Sequence, residues 1–541
     1  MSDAALSQPA GGVAGVAPRR PNLDAKPHAG AVVVFLCLLA IGIGFTLNGL
    51  ISDIDRSGAQ PLAIGAFVLL GIALLIALAF EFVNGFHDTA NAVATVIYTH
   101  SLPANLAVVW SGAWNLIGVL TSSGAVAFSI VSLLPVELIL QVGSSAGFAM
   151  IFALLIAAII WNLGTWALGL PASSSHTLIG SVIGVGLANQ LLAPVGTGTS
   201  GVDWGQAVGV FRALLFSPVV GFVFSALLLL VMKLLIRQPK LYAEPDTRHP
   251  PPWWIRGLLV LTCTGVSFAH GSNDGQKGMG LIMLILIGAV PTAYALNQAL
   301  PESTTPAFVQ TMQSAHDIFA RHAEGASVPV DAARARVTDA IRTRSFNDPA
   351  VYAGLADLAT AIGTEVQAHG AVRRVPAAAV QNVRNEMYVA SEAVRLMPKA
   401  GFSAAEQGTL AAFQKSLNAS TRFIPTWVKV AVAIALGLGT MVGWKRIVVT
   451  VGEKIGKTHL TYGQGASAEL VAMGTIMAAD AYGLPVSTTH VLSSGVAGTM
   501  LANGSGLQWS TLRSIALAWV LTLPAATALS GVLYAIARAV I

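Results

Sequence analysis

The chain has 541 residues, of which 54% are hydrophobic and only 10% are charged, and its formal net charge is +5. Soluble globular proteins carry about 25% charged residues, so this composition excludes a water-soluble protein and indicates that lipid surrounds much of the chain. The two cysteines, Cys37 and Cys263, both lie in apolar runs, which argues against a disulfide framework and against a zinc site.

Apolar runs long enough to span a bilayer follow one another along most of the chain. Residues 1–30 are polar and rich in Pro, Gly and Ala, which predicts a disordered tail. Because several of the later runs are interrupted or of unusual length, we expect ten to twelve transmembrane helices. The predicted spans are 31–51, 63–83, 106–131, 146–170, 175–193, 207–236, 257–291, 427–444, 466–482, 489–503 and 510–538.

One region has a different composition. Residues 292–425 contain 12 Lys/Arg and 11 Asp/Glu, which is 23 of the 55 charged residues of the chain. Their pattern of Ala, Arg and Glu indicates amphipathic helices in water. The sequence therefore predicts a soluble helical insert at 292–425. A first membrane repeat with its linker occupies 31–256, and a second repeat is divided into 257–291 and 426–541.

Basic residues concentrate in two short loops between apolar runs, which indicates membrane orientation rather than nucleic-acid binding. The positive-inside rule places both loops in the cytoplasm, so we expect the insert on the opposite side of the membrane. The basic residues are Lys233, Arg237, Lys240, Arg248 and Arg256 at the first loop and Lys445, Arg446, Lys454 and Lys457 at the second.

Two polar motifs interrupt the apolar background, and each occurs twice. The motifs begin 87 residues apart in the first half and, once the insert is removed, 81 residues apart in the second. Recurrence in the same order at similar spacing indicates two related halves. The first motif reads Asn84-Gly85-Phe86-His87-Asp88 and His270-Gly271-Ser272-Asn273-Asp274. The second reads Pro171-Ala172-Ser173-Ser174-Ser175-His176 and Pro485-Val486-Ser487-Thr488-Thr489-His490.

Duplicated halves interrupted by Gly and Pro are typical of secondary transporters, whose substrate site lies at the repeat interface near the bilayer midplane. Gly85 and Gly271 are expected to allow unusual backbone angles, and Pro171 and Pro485 to begin new helices. The hydroxyl residues after each proline then lie in the first turn of a helix, where unpaired N–H groups favour an anion. The pattern predicts an anion site shared by both halves.

The candidate substrate-binding residues come from these motifs. A carboxylate at membrane depth costs at least ~2.5 kcal/mol, so its occurrence in both halves favours a transport role over a structural pair with Lys277. The amides have interhelical hydrogen bonding as an alternative role, and the hydroxyls have helix capping. The candidates are Asn84, Asp88, Asn91, Ser173, Ser174, Ser175, Asn273, Asp274, Ser487, Thr488 and Thr489.

The candidates for binding a coupling ion are ionisable: Asp88, Asp274, Glu81, Glu469, His176 and His490. Histidine titrates near physiological pH, which suits proton coupling, although a structural role is the alternative for both histidines. The sequence contains no HExxH, GxSxG or Walker A pattern, which argues against an enzyme or an ATP-driven pump. No cofactor is expected, and the pattern does not identify a metal.

Five segments resemble the inorganic phosphate transporter (PiT) family, and most closely its bacterial low-affinity Pit symporters. The resemblance implies an inverted-repeat fold that carries orthophosphate with a cation. In bacterial members the cargo is linked to protons or to neutral divalent metal–phosphate complexes, and in other branches to sodium. The segments are NGFHDTANAVATVIYT (84–99), PASSSHTLIGSVIG (171–184), AHGSNDGQKGMG (269–280), VGEKIGKTHLTYGQGASAELVA (451–472) and PVSTTHVLSSGVAG (485–498).

The same resemblance implies functions for particular residues. It maps the aspartate–asparagine motifs onto Asn84, Asp88, Asn91, Asn273 and Asp274, and the Pro-x-Ser-x-x-His motifs onto 173–176 and 487–490. One departure concerns the first motif, where Phe-His-Asp replaces the commoner Ala-Asn-Asp. A second is that Lys277 occupies the position matching Asn91, so the halves are not chemically equivalent.

Taken with this resemblance, which implies phosphate as the substrate, a coupling cation and a bacterial inner membrane, the patterns predict an all-α polytopic protein that imports inorganic phosphate by cation symport through alternating access. The expected partners are phosphate, the lipid bilayer and a coupling cation, namely a proton, with sodium or a divalent metal–phosphate complex as alternatives. No nucleic-acid partner is expected, and a homo-oligomer is left open. The alternative functions are a sulfate or other oxyanion permease on the same fold and a gated anion channel.

Overall fold

The computed structural model describes residues 21–24, 28–58, 63–88, 90–134, 136–140, 143–194, 201–245 and 251–540. The side chains of residues 90, 91 and 137 are not among the described parts. Most of the tail predicted to be disordered and the basic-loop residue Arg248 lie outside the described residues. Within them the regular secondary structure is helical, apart from an isolated antiparallel bridge between Gly456 and Leu507.

Twenty-one α-helices follow one another along the described residues. The first ten are α1 (Ala29–Arg56), α2 (Ile64–Asp88), α3 (Ala90–Tyr98), α4 (Ala104–Thr121), α5 (Ala125–Val131), α6 (Val136–Leu140), α7 (Ser145–Ala167), α8 (Ser174–Leu192), α9 (Trp204–Leu235) and α10 (Trp253–Ala289). The others are α11 (Pro291–Tyr294), α12 (Thr305–His322), α13 (Val330–Thr343), α14 (Pro349–Ala368), α15 (Ala377–Leu396), α16 (Ala404–Thr421), α17 (Thr426–Thr440), α18 (Lys445–Val449), α19 (Tyr462–Ala481), α20 (Thr488–Asn503) and α21 (Trp509–Val540).

Six spans of the described chain are long and apolar enough to cross a membrane: α1, α2 together with α3, α4, α7, α9 and α21. There is a seventh if α16 and α17 are counted as one span that bends by 73° at the short break between them. The expected ten to twelve is not reached by this measure. Helices α8, α10, α19 and α20 coincide with predicted spans, but they carry many buried polar side chains. These polar side chains lower the mean hydropathy of the helices. They are tolerated because they face protein rather than lipid.

The loops that follow α7 and α19 have the same local geometry. Gly169 and Gly483 each adopt a left-handed backbone conformation, with φ of 67° and 64°. The amide of the next residue then returns to a carbonyl of the preceding helix, from Leu170 to Thr165 at 3.0 Å and from Leu484 to Ala479 at 2.9 Å. Such a left-handed glycine is a common helix C-terminus. The two polar Pro-containing motifs are therefore presented at the tips of two similar helical hairpins, α7–α8 and α19–α20.

Each hairpin packs its second helix against the long helix that ends the other half of the chain. Helix α8 packs on α21, and α20 packs on α9. Small residues allow this close approach: a Cβ atom at Gly184 would lie 2.0 Å from the Thr527 carbonyl oxygen, and one at Gly498 would lie 2.1 Å from the Phe222 carbonyl oxygen. Both glycines stand eight residues after the motif histidine. This is the close packing of small residues that membrane helices use.

Helices α8 and α20 point toward opposite ends of α9. The C-terminal part of α8 lies beside the start of α9, since a Cβ atom at Gly186 would lie 1.9 Å from the Gly201 carbonyl oxygen. The end of α20 instead lies beside the segment that follows α9, where the Asn503 side chain donates to the Tyr242 carbonyl at 3.5 Å. The two hairpins thus enter the centre of the protein from opposite directions.

The expectation that Gly85 and Gly271 adopt unusual backbone angles is wrong. Both residues lie within continuous helices, α2 and α10. A Cβ atom at Gly85 would lie 2.3 Å from the Leu436 carbonyl oxygen, and one at Gly271 would lie 2.1 Å from the Asn115 carbonyl oxygen. These glycines are required because α17 and α4 cross here at very short distance, and not because the chain turns.

Helices α12 to α16 fill the region between residues 292 and 425 and pack mainly on one another. Their contact with the rest of the chain includes two ion pairs to Asp203, the N-cap of α9, from Arg344 and Arg395. A buried arginine, Arg384, also donates to the Ile139 carbonyl of α6 at 3.4 Å. This region therefore rests on the end of the membrane helices at which α9 begins.

Candidate functional site

The tips of the two hairpins meet in the interior of the protein. Ser175, in the first turn of α8, donates a hydrogen bond to the Val486 carbonyl of the other tip at 2.8 Å. The imidazole rings of His176 and His490 lie 4.5 Å apart, and His490 lies 4.1 Å from the Trp519 ring. The loop at each tip leads into the N-terminus of the hairpin's second helix, α8 or α20. The positive dipole ends of these two helices therefore lie close together.

Ser173 and Ser487 cap these two helices. The Ser173 side chain accepts from the His176 amide at 3.2 Å, and the Ser487 side chain accepts from the His490 amide at 3.1 Å. Capping is the alternative role that the sequence left open for the hydroxyls, and it accounts for the first serine of each motif. The hydroxyls at the next two positions are therefore the ones available for other contacts.

The carboxylate of Asp88 joins the two hairpins. Ser174 of the first tip donates to its Oδ2 atom at 2.5 Å, and Thr489 of the second tip donates to its Oδ1 atom at 2.8 Å. His87 Nδ1 lies 3.0 Å from the same Oδ1 atom, and His87 Nε2 lies 3.1 Å from the Thr165 hydroxyl. Asp88 is 3% exposed. A buried anionic group is thus held by hydroxyls that come from both halves of the chain.

The second aspartate has a different environment. Asp274 lies in the middle of α10 and pairs with Lys277 Nζ at 2.8 Å, and both side chains are fully buried. His270 Nε2 lies 3.4 Å from the other carboxylate oxygen. Lys277 also donates to the Ser175 hydroxyl at 2.5 Å, so this ion pair reaches the tip of the first hairpin. An ammonium group and a hydroxyl side by side are donors of the kind that bind oxyanions.

The asparagines of the motifs lie around these carboxylates. Asn273 donates to the Leu484 carbonyl in the second tip at 3.1 Å, and among the described residues its buried side-chain oxygen has no hydrogen-bond partner. Asn84 donates to Glu81 at 3.4 Å, and its oxygen is likewise unpartnered. The Asn91 side chain lies outside the described parts. The buried hydroxyl of Thr488 likewise has no hydrogen-bond partner within the described part of the chain.

The two glutamates occupy separate places. Glu81 lies against α10, where a Cβ atom at Gly278 would lie 2.4 Å from its Oε1 atom. Glu81 is therefore next to the Asp274–Lys277 pair. Glu469 instead accepts a hydrogen bond from Thr262, near the other end of α10. The structure thus places Glu81 with the aspartates and Glu469 in a different buried contact.

Three groups are close enough to hold a cation together. One ligand atom each from Asp88, His270 and Asp274 falls within 4.8 Å of the others, and all three residues are buried. Two carboxylates with an imidazole suit a divalent metal, while carboxylate oxygens alone suit a proton or a hard cation.

Sequence reasoning missed several residues of this arrangement. Lys277 was interpreted only as a structural partner, although its alignment with Asn91 is a signal that could have placed it at the site. Trp519 of α21 donates to the Pro171 carbonyl at 2.8 Å and covers His490, and no sequence pattern marks it. Asp480 accepts from Ser272 at 2.8 Å and from Gln276 at 2.6 Å, which attaches the second tip to α10.

Comparison with known proteins identifies the family of this chain. Residues 84–530 match the PHO4 phosphate transporter family. The chain is 43% identical over 488 residues to the low-affinity inorganic phosphate transporter PitA of Escherichia coli K12, covering 86% of this chain and 96% of PitA. It is 40% identical over 501 residues to PitB of the same strain, covering 88% and 99% of the two chains.

A solved structure described as the sodium-dependent phosphate transporter is also similar, with a TM-score of 0.48 and 20% identity, over 88% of this chain and 100% of that one. The family match spans most of the sequence, and PitA and PitB are matched over nearly their whole length. The chain therefore belongs to the phosphate transporter family and is a multi-pass membrane transporter rather than an enzyme.

Proposed function

We propose that this protein imports inorganic phosphate across the bacterial inner membrane by cation symport. The observation that carries the proposal is the hydrogen-bonding of Asp88 by Ser174 of one hairpin and Thr489 of the other. Two helix N-termini, each with hydroxyls in the first turn, favour an anionic ligand between them. Relatives named low-affinity inorganic phosphate transporters support phosphate as that ligand.

The donors at the hairpin tips suit a tetrahedral oxyanion. Ser175 and Lys277 lie 2.5 Å apart and can bind two oxygens of one ligand, while Thr488 and Thr489 approach from the other tip. Phosphate keeps at least one proton near neutral pH, and that proton can be donated to the carboxylate of Asp88. Sulfate has no proton to donate, so the carboxylate would repel it. This difference supports phosphate over sulfate.

The coupling cation is assigned to the carboxylate cluster. Asp88, His270 and Asp274 offer a proton-binding or metal-binding set beside the proposed anion site. A cation there would neutralise the charge of the phosphate in a medium of low dielectric, which lowers the cost of moving it. We favour a proton, with a divalent metal–phosphate complex or sodium as alternatives.

The two halves are proposed to be inverted repeats that support alternating access. Helices α8 and α20 run toward opposite ends of α9, and their tips meet at the motif residues. Movement of either tip alone would open the site to one side of the membrane. The region 292–425 is proposed to be a soluble insert that faces the exterior, opposite the basic loops around Lys445.

Uptake into proteoliposomes tests the proposal. Labelled phosphate should accumulate above its external concentration when a pH gradient is imposed, and an uncoupler should release it. Sodium and magnesium gradients, imposed one at a time, identify the coupling ion. Equilibration without accumulation would support the gated anion channel, and accumulation of labelled sulfate under the same gradient would support a general oxyanion permease.

A further inference from the structure

A large cavity lies where the region 292–425 meets the membrane helices. It has a volume of about 730 Å³ and is lined on one side by the basic residues Arg395, Lys415 and Arg422. The other side is formed by α5 and by the residues Tyr482 to Leu484, which belong to the tip of the second hairpin. None of these basic residues belongs to the motifs that form the candidate site.

The charges around this cavity do not balance. Asp203 pairs with both Arg344 and Arg395, while Glu392 accepts from Arg395 at 2.8 Å and lies 3.8 Å from Arg422. Two carboxylates therefore serve three arginines. Exposed Lys415 forms no ion pair within the described part of the chain, so the wall carries an excess of positive charge.

A second observation points to an anion. Arg384 is 5% exposed, and its Nε atom is buried without a hydrogen-bond partner. Its contacts in the described chain are with the Ile139 carbonyl, the Asn385 side chain and the face of the Tyr388 ring, 5.1 Å from the guanidinium carbon, and none of these carries an opposite charge. Arg384 lines a cavity of about 30 Å³ that shares Ser132 and Arg422 with the large one. Buried, uncompensated guanidinium is costly, and an oxyanion is its natural partner.

The cavity adjoins the candidate transport site through a single layer of residues. Leu484, which lines the cavity, accepts a hydrogen bond through its carbonyl from Asn273 at 3.1 Å. Asn273 is the immediate neighbour of Asp274. An anion leaving the cavity past the loop that precedes α20 would therefore arrive at the hydroxyls of the second tip.

We propose that this cavity is a vestibule that binds tetrahedral oxyanions before they reach the transport site, with Lys415 and Arg422 as its binding residues. Arg384, which lines the small adjoining cavity, adds buried positive charge beside it. The proposal rests on the proposed function and gives the insert a role in it. The vestibule raises the local concentration of the anion at the second hairpin. Because no free carboxylate among its lining residues can accept a proton, it binds sulfate as well as phosphate.

Substitution of the basic residues tests the vestibule. Lys415→Gln, Arg422→Gln and the double variant should raise the half-saturation concentration for phosphate uptake, by about tenfold in the double variant, without changing the maximal rate. The difference in half-saturation concentration between these variants and the wild type should become smaller at high ionic strength, because salt screens the charges. Arg334→Gln is the matched control, since Arg334 is an exposed arginine of α13 that contacts Asn382.

Binding of labelled sulfate to the purified protein provides a test that does not depend on transport. The wild-type protein should bind sulfate without transporting it, and Lys415→Gln/Arg422→Gln should lose this binding. If the double variant binds sulfate as the wild type does and its half-saturation concentration for phosphate is unchanged, the assignment of this cavity as an oxyanion vestibule is wrong. If instead the wild type binds sulfate in this way and does not accumulate phosphate, only the proposed function fails. Lys415→Gln alone keeps the test valid should the loss of Arg422 disturb folding, because Lys415 is exposed.

Discussion

The two aspartate motifs came from the same pattern, but the structure gives them different surroundings. Asp88 is held by neutral hydroxyls from both hairpin tips and by His87. Asp274 forms a buried ion pair with Lys277 three residues along the same helix. The first carboxylate therefore connects parts that alternating access would separate, whereas the second is stabilised within a single helix.

This difference indicates that the two aspartates have different roles. The hydrogen bonds of Asp88 must break if the hairpin tips move apart, so its protonation or cation binding can respond to the position of the tips. The Asp274–Lys277 pair can stay intact throughout and can present Lys277 to the anion. Removing one member of such a buried pair leaves an uncompensated charge, which is more damaging than removing both. The following experiments test this comparison, from the largest expected effect to the smallest.

Asp88→Asn should reduce phosphate accumulation to the level of empty liposomes. The substitution preserves volume and one hydrogen-bond acceptor but removes the ionisable group, so coupling to the cation is lost. Uptake under an imposed pH gradient is the measurement, with the amount of protein in the membrane determined in parallel. Asp53→Asn, at a carboxylate of α1 that contacts Tyr294 and Trp427, is the control. Near-normal accumulation by Asp88→Asn would exclude this residue from the mechanism.

Asp274→Asn should also abolish accumulation, and it should lower stability by roughly 3–5 kcal/mol because Lys277 is left buried and unpaired. The double variant Asp274→Asn/Lys277→Met should recover most of this stability without recovering transport. Thermal unfolding of the purified proteins measures the first effect, and uptake measures the second. A double variant less stable than the single one would contradict the interpretation of these residues as a self-contained pair.

Ser175→Ala and Thr489→Ala should each weaken phosphate binding by ~1.5–3 kcal/mol, the contribution of a hydrogen bond to a charged group. This corresponds to about 10- to 150-fold in half-saturation concentration. The effects should not add in the double variant, because both hydroxyls contact one ligand. Ser181→Ala is the control, since that hydroxyl donates to the Thr177 carbonyl within α8. Unchanged half-saturation with a lowered melting temperature would show that the hydroxyls only stabilise their helices.

Replacement of residues 300–420 by a short Gly/Ser linker should have the smallest effect on the maximal rate. The residues of the candidate site all lie outside this region, so transport should persist at a reduced apparent affinity, by about tenfold if the vestibule is lost with it. Uptake kinetics in whole cells measure both quantities. Complete inactivity of a deletion variant that still inserts into the membrane would mean that the region is part of the transport pathway.

The amino-acid sequence by itself determined the membrane class, the helical character of the chain and the recurrence of two polar motifs. These features depend on local hydropathy and on residue types at fixed spacing, such as the proline three residues before the first turn of α8 and α20. The sequence also indicated which polar side chains are too costly to place in lipid, and most of them are buried together in the structure.

Only the tertiary structure decided which of these side chains meet. That Asp88 contacts both Ser174 and Thr489 depends on hairpins whose tips are 311 residues apart in the chain. The Asp274–Lys277 pair, in contrast, is a local contact within one helix. The glycines of the first motif were misinterpreted for the same reason: Gly85 is required by the approach of α17, which no local pattern reveals. Contacts between distant segments follow from how helices pack, and packing is a property of the whole fold rather than of any one stretch of sequence.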